Sequence, residues 1–199
     1  MMKRTLPLKE LAEVSTGYPF RTGLNDDPSG VIRVIQMRNI TFSGVEWEQA
    51  VRVSFEENMR SYFLCSGDIL FVMRGGKYYA THIQDVPQQA VASMHFFRVR
   101  IKPKKDVIPE FLAWQLEQAP AQRYYSSVEA GSAQKSLRLA DFSEIPIVLP
   151  SLDRQHMLTQ VVINLKTGIK TMEANIANSN NLLAIMALKE FENSVRSAQ

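Results

Sequence analysis

The sequence predicts an α+β domain followed by one long C-terminal helix, and three observations carry that prediction. From Leu158, apolar residues recur at steps of four and three: Val162, Leu165, Ile169, Met172, Ile176, then Leu183 and Met186 after a polar Ser179. That spacing is a heptad seam, a helix face made to pack lengthwise on another helix. Upstream of it, short apolar runs alternate with segments of helical spacing, the pattern of mixed α and β structure. Between the two, Ile145-Pro146-Ile147-Val148-Leu149-Pro150-Ser151-Leu152 reads as a buried strand stopped by proline. The expected division is a compact head over 1–150 and a helical stalk over 151–199.

Each element of the head has its own local signal. Leu8, Leu11 and Ala12 have helical spacing, and Gly17 is placed to end a helix over Leu8 to Val14. Arg21 to Gly30, rich in Asn, Asp, Pro and Gly, is a loop. Val31 to Met37 is a strand, closed by Arg38-Asn39, and Glu46 to Val53 adds extended structure. Phe55 to Tyr62 predicts a short helix, leading to a turn at Cys65-Ser66-Gly67-Asp68 and a buried strand over Ile69 to Met73. Alternation from Ala90 to Ile101 predicts one long strand. Pro109 suits the first turn of a helix carrying Phe111, Leu112, Trp114 and Leu116, and Pro120 should interrupt it.

Composition bounds the function classes. An apolar share of 45% is that of an ordinary globular protein, so a proper core is expected. No run approaches the ~18 apolar residues of a membrane span, and no signal-peptide stretch follows the basic start Met1-Met2-Lys3-Arg4. The lone Cys65 excludes an internal disulfide and fits a reducing cytoplasm. A net charge of +3 points only weakly to nucleic acid, although the head concentrates Arg33, Arg38, Arg74, Lys77, Arg98, Arg100 and Lys135.

No enzymatic motif survives inspection. Gly75-Gly76-Lys77 ends like a phosphate-binding loop, but Phe71 stands where the first glycine is needed and Tyr78 replaces Ser/Thr. The histidines, His82, His95 and His156, have no ligand-like spacing with Cys65, so no metal site is expected. No nucleophile elbow or cofactor fingerprint is present. Asp68 with Lys77 lacks the further carboxylate of a nuclease set. The expectation is a chain without catalytic residues and without a cofactor.

Several segments together resemble the DNA specificity subunit of type I restriction–modification systems. They are Leu8-x-x-Leu11 with Gly17 and Phe20; Gly67-Asp68-Ile69-Leu70 before an Arg-Gly loop; His95-Phe96-Phe97-x-Val99-Arg100; Pro109-Glu110-Phe111-Leu112; Gly131-Ser132-Ala133-Gln134 with Leu137; and Ile145 to Gln155 running into a long helix. The resemblance implies a target-recognition domain followed by a helix that serves as spacer and docking surface. It further implies a non-catalytic subunit that reads DNA for partner methyltransferase and restriction subunits. A usual family member carries two recognition domains and two helices, so this chain resembles a half-subunit. A second copy would then supply the other half, and a two-fold homodimer would recognise a palindromic split site. A stalk from Leu152 to Val195 would measure ~65 Å, enough to hold two heads about two DNA turns apart.

DNA contact requires cations for phosphates, and donors and acceptors that reach base edges from exposed segments. Three segments qualify. The first is Arg74, Gly75, Lys77 and Tyr78, with two cations, permissive backbone and an aromatic ring. Gln36, Arg38 and Asn39 carry side chains suited to bidentate contact with guanine or adenine. Ser132, Gln134 and Lys135 bring a hydroxyl, an amide and a cation. For the dimer seam the residues are Leu158, Val162, Leu165, Ile169, Met172, Ile176, Leu183 and Met186, with Gly168 and Ser179 as weak points. Two alternatives stay open: a seam folded back on its own head, and an interaction module that binds the methyltransferase through its helix without reading DNA.

Overall fold

The computed structural model describes residues 4–21, 23–41, 44–73, 78–129 and 137–197; side chains are described up to 189 and at 191. In chain order the elements are β1 (Arg4–Pro7), α1 (Leu8–Leu11), β2 (Ala12–Thr16), β3 (Ile32–Ile35), β4 (Ile40–Thr41), β5 (Gly44–Val45), β6 (Val51–Val53), β7 (Ile69–Val72), β8 (Ala80–His82), β9 (Ala90–Ala92), β10 (Phe96–Ile101), α2 (Pro109–Glu117), α3 (Ala119–Glu129), α4 (Leu139–Ser143), β11 (Pro146–Leu149) and α5 (Leu152–Ser197). Short 3-10 turns occupy Met37–Asn39, Trp47–Gln49 and Glu57–Tyr62. The mixed α+β architecture with a long terminal helix is as the sequence predicts. Two units result, Met1–Thr159 and Gln160–Gln199.

Two larger sheets lie in the first unit, beside the two-stranded pairs β1–β11 and β4–β5. One has the order β2-β10-β7-β8 with antiparallel neighbours. The other has the order β6-β3-β9, in which β3 runs antiparallel to β6 and parallel to β9. β7 shows why the layers stack as they do. Its side chains alternate between faces: Ile69 and Phe71 join one core with Leu112, Leu116, Tyr125 and Phe142 of the helices. Leu70 and Val72 join a second core with Ile35, Ala90 and Ala92 of the other sheet. Burial on both faces is why this strand reads as an unbroken apolar run. Ile32, Val34 and Val91 turn to a third cluster with Tyr18 and Met59.

Aromatic side chains fill the helix-facing core. Phe71 lies 4.3 Å from Phe142 and 5.2 Å from Tyr125, centroid to centroid. Each such ring, fully buried, contributes about 1.5–3 kcal/mol of transfer free energy. The Tyr125 hydroxyl donates to the Leu116 carbonyl at 3.1 Å, so this buried polar atom is satisfied.

Four local expectations are revised. The helix at Leu8 lasts one turn, because from Ala12 the chain pairs with β10 and becomes β2. Gly17 ends no helix; a Cβ there would stand 2.1 Å from the Ser93 carbonyl oxygen, so glycine is needed for close backbone approach. Ala90 to Ile101 is two strands in two sheets, β9 and β10, separated by a turn at Ser93–His95. Apolar residues flank the turn on both sides, Val91 and Ala92 before it and Phe96 and Phe97 after it, which hides the break. The strand β11, expected to be buried, is half-exposed, with Pro146 and Val148 at the surface, and among the described residues it pairs with β1.

Candidate nucleic-acid interface

β3 ends at Ile35, and the next residues turn sharply. The Asn39 N–H donates to the Gln36 carbonyl and the Asn39 Oδ1 accepts from the Gln36 N–H, both at 2.9 Å. The Glu46 N–H then ties the Asn39 carbonyl to the β5 end at 2.8 Å. Asn39 is only 1% exposed, so its side chain shapes this turn from beneath. Arg38 and Met37, by contrast, are exposed, and Gln36 is half-buried.

The turn at Ser93–His95 joins this segment to another. The Ser93 N–H donates to the Ile35 carbonyl at 2.9 Å, and the Met73 N–H donates to the His95 carbonyl at 3.2 Å. The Tyr18 N–H reaches the Ala92 carbonyl at 2.7 Å, and the Gly17 N–H the Phe96 carbonyl at 2.9 Å. The ends of β3 and β7 are thus pinned to one turn, whose tip, Met94, is 44% exposed. Sequence reasoning missed this turn. The small polar Ser93 amid apolar alternation is the signal that marks it.

Arg74, Gly75 and Lys77 lie outside the described residues, as do Ser132, Gln134 and Lys135. Their flanks are described. Tyr78 is buried, stacks on Phe71 at 5.6 Å and donates its hydroxyl to the Glu129 carboxylate. Burial, then the Glu129 hydrogen bond and charge, push the Tyr78 phenol far above its usual range, so it stays protonated. Gln122 Nε2 donates to the Tyr78 carbonyl at 2.9 Å. The Tyr78 ring is therefore committed to the core, unlike the open aromatic the sequence suggested.

The cations divide by role. Arg100 Nε and Nη2 donate to Asp68 Oδ1 and Oδ2, each at 2.7 Å, and Asp68 is buried. Arg98 Nη1 donates to the Ser61 and Phe63 carbonyls at 3.1 and 3.2 Å. Both arginines thereby hold the segment before β7 in place. Asp68 also accepts from the Cys65 N–H at 2.8 Å, closing the turn in which Gly67 takes φ +90°. Among the described residues no three metal-ligating side chains gather, and no helix is long and apolar enough to cross a membrane.

Comparison with known proteins decides the lineage. The family model described as type I restriction modification DNA specificity domain matches residues 3–182. The chain belongs to that specificity-domain family. Solved specificity-domain structures share its fold. The HsdS subunit from Thermoanaerobacter tengcongensis matches at TM-score 0.57 and 12% identity, over 86% of this chain and 39% of that one. A chain from a structure of the complex assembly and conformational transition of the type I R-M system matches at TM-score 0.61 and 12% identity, over 89% and 41%. The S subunit of the type I restriction–modification system of M. genitalium matches at TM-score 0.56 and 11% identity, over 88% and 42%. This specificity-domain chain thus spans about two fifths of the length of those solved proteins. No curated protein matches it in sequence.

Within α5, Leu158 and Val162 are half-buried, whereas Leu165, Ile169, Met172, Ile176, Leu183 and Met186 are exposed. Leu182, Ile185 and Leu188, off the seam, are exposed as well.

Proposed function

We propose that this chain is a sequence-specific DNA-binding subunit of a type I restriction–modification system, reading one half of a bipartite target and directing partner methyltransferase and restriction subunits to it. In this reading the domain over 1–150 recognises DNA and the helix over 151–199 is spacer and dimer seam. Methyl transfer and cleavage belong to the partners, and the chain itself is not an enzyme. Its place is the cytoplasm, with the DNA.

The observation that carries the reading is the family match taken with one edge of the fold. Gln36 and Arg38, Met94, and the residue before Arg74 are linked there by the backbone bonds of the Ser93–His95 turn. An edge built of exposed segments on paired strands is suited to base readout, since the scaffold keeps the readers in register. Gln36 offers an amide for adenine and the 74–77 segment brings two cations; Ser132, Gln134 and Lys135 extend the set from the segment after Glu129. Asn39 and Tyr78 act as supports beneath it.

The exposed seam from Leu165 to Met186 supports pairing with a second copy through the helix, giving two identical readers and a palindromic split site. Leu182, Ile185 and Leu188 add apolar surface beyond one seam, where a methyltransferase can dock. Selection from a random duplex pool, with the methyltransferase present, tests the reading. Enrichment of a split motif with inverted halves supports it. Capture of the methyltransferase without enrichment of any motif would leave the interaction-module reading standing instead.

A further inference from the structure

Arg33 and Arg52 are direct partners in the antiparallel β3–β6 ladder, so their side chains leave the same face of the sheet side by side. Like charges in that position oppose folding. Each has a carboxylate: Arg33 Nη2 reaches Glu48 Oε2 at 3.0 Å and Arg52 Nη2 reaches Asp26 Oδ2 at 3.5 Å. Arg33 also donates to the Trp47 carbonyl, and its side chain is only 12% exposed. Its Nε–H nevertheless meets no acceptor among the described residues. A buried donor without an acceptor is costly unless something arrives to fill it.

Arg38 lines the same cavity of about 440 Å³, together with Arg33, Arg52, Asp26, Glu48 and Gln49. Among the described residues Arg38 forms no ion pair, so the lining carries an excess of one positive charge. No aromatic side chain lines the cavity, so it offers no stacking surface for a base. Guanidinium forks arranged around a polar hollow suit a tetrahedral oxyanion, which takes two parallel N–H bonds from each fork.

We propose that this cavity is a phosphate-binding site and that its occupant is a backbone phosphate of the bound DNA. Arg38 makes the direct contact, the Arg33 Nε–H is the second donor, and Arg52 adds to the field that holds the phosphate. The proposal rests on the DNA-reading function and refines it: Arg38, which sequence alone suggests for a base edge, becomes a positioning contact beside the reading edge. The carboxylates of Glu48 and Asp26 keep the empty site foldable by compensating the two strand arginines.

The test uses the full chain with a duplex carrying the selected motif, an unrelated duplex, and inorganic phosphate. Arg38→Gln is expected to weaken both duplexes by the same factor and to lower the salt slope of binding by about 1. Arg38→Lys, which keeps the charge, is expected to retain that slope. Loss confined to the selected motif with an unchanged slope would overturn the proposal, because Arg38 would then read a base. An Arg38→Gln variant that binds both duplexes as before overturns it too. Should the chain bind no duplex at all, the DNA-reading function fails, and the cavity is judged by arginine Nε–H resonances during phosphate titration. Shifts at Arg33 and Arg38 then support the site with free phosphate as its source, and unmoved resonances overturn it.

Discussion

Tyr78 donates its hydroxyl to the carboxylate of Glu129, joining the residue after the 74–77 segment to the residue before the 130–136 segment. Two residues 51 positions apart in the chain are thereby bonded. Tyr78→Phe keeps the ring stacked on Phe71 and removes only this bond. We expect a loss of about 1–2 kcal/mol in urea unfolding, and a larger fall in affinity for the selected motif than for unrelated DNA. Equal losses on both duplexes would show that the bond has no part in sequence selection.

Gln155, in the first turns of α5, is completely buried. Its Oε1 accepts from the Ile108 N–H at 3.0 Å, and its Nε2 donates to the Asp106 and Pro150 carbonyls at 2.9 and 3.1 Å. Gln155→Ala leaves those backbone groups without partners and should cost about 2–3 kcal/mol. Gln155→Glu should be no better, since an ionised carboxylate cannot donate to either carbonyl. Thermal unfolding of the two variants checks this.

Gly17→Ala should be among the most damaging single-methyl changes in the chain. The added carbon would stand 2.1 Å from the Ser93 oxygen and 2.5 Å from the Ala92 oxygen, both backbone atoms of the strand–turn junction. Relief requires the Tyr18–Ser93 bridge to open, at a cost of about 3 kcal/mol or more. Amide exchange should show new opening at Tyr18 and Ser93 while β7 stays protected. A variant with wild-type stability and exchange contradicts the observed packing.

His82, on β8, faces Glu110 of α2 at 3.4 Å. Burial pushes its imidazole below the ordinary value and the Glu110 charge only partly offsets this. The unfolded chain therefore binds a proton at this site more readily than the folded one. Stability is full above the unfolded pKa near 6.5 and is lost as pH falls through the lowered folded value. His82→Gln should flatten the dependence of Tm on pH over this window. An unchanged slope would assign the titration to another group.

Leu165 and Ile169 lie on the exposed seam of α5. The double change Leu165→Asp, Ile169→Asp should halve the mass measured by light scattering if the seam pairs two copies, because each pairing buries both charges twice. Unfolding of the first unit should be unaffected. A wild-type chain that stays monomeric at high concentration would remove the dimer from the proposal.

The fold class was legible because its signals are local. The seam from Leu158 to Met186, the apolar run at Ile69–Val72 and the prolines Pro109 and Pro120 each act through the backbone of their own segment. The split of Ala90–Ile101 was not, because the residue alternation runs on through Ser93–His95 and the change of sheet shows only in the long-range pairing. Residue type and a place in loop-like segments suggest Asn39 and Tyr78 as DNA contacts. Whether a polar side chain points outward is decided by neighbours from distant segments, here Gln36 with Glu46 and Phe71 with Glu129.

By itself the sequence determined an α+β domain, a long heptad-bearing helix and a resemblance to type I specificity subunits. Periodicity, proline and glycine constrain a chain within a few residues, and motif order constrains its lineage. Only the tertiary structure decided which cations brace a single segment and which gather around a cavity. Arg98 and Arg100 are bound to the Ser61–Asp68 segment, while Arg33, Arg38 and Arg52 meet in one cavity. The physical reason is that an arginine is the same fork in every sequence. Its use depends on the acceptors that folding brings within about 3 Å of it.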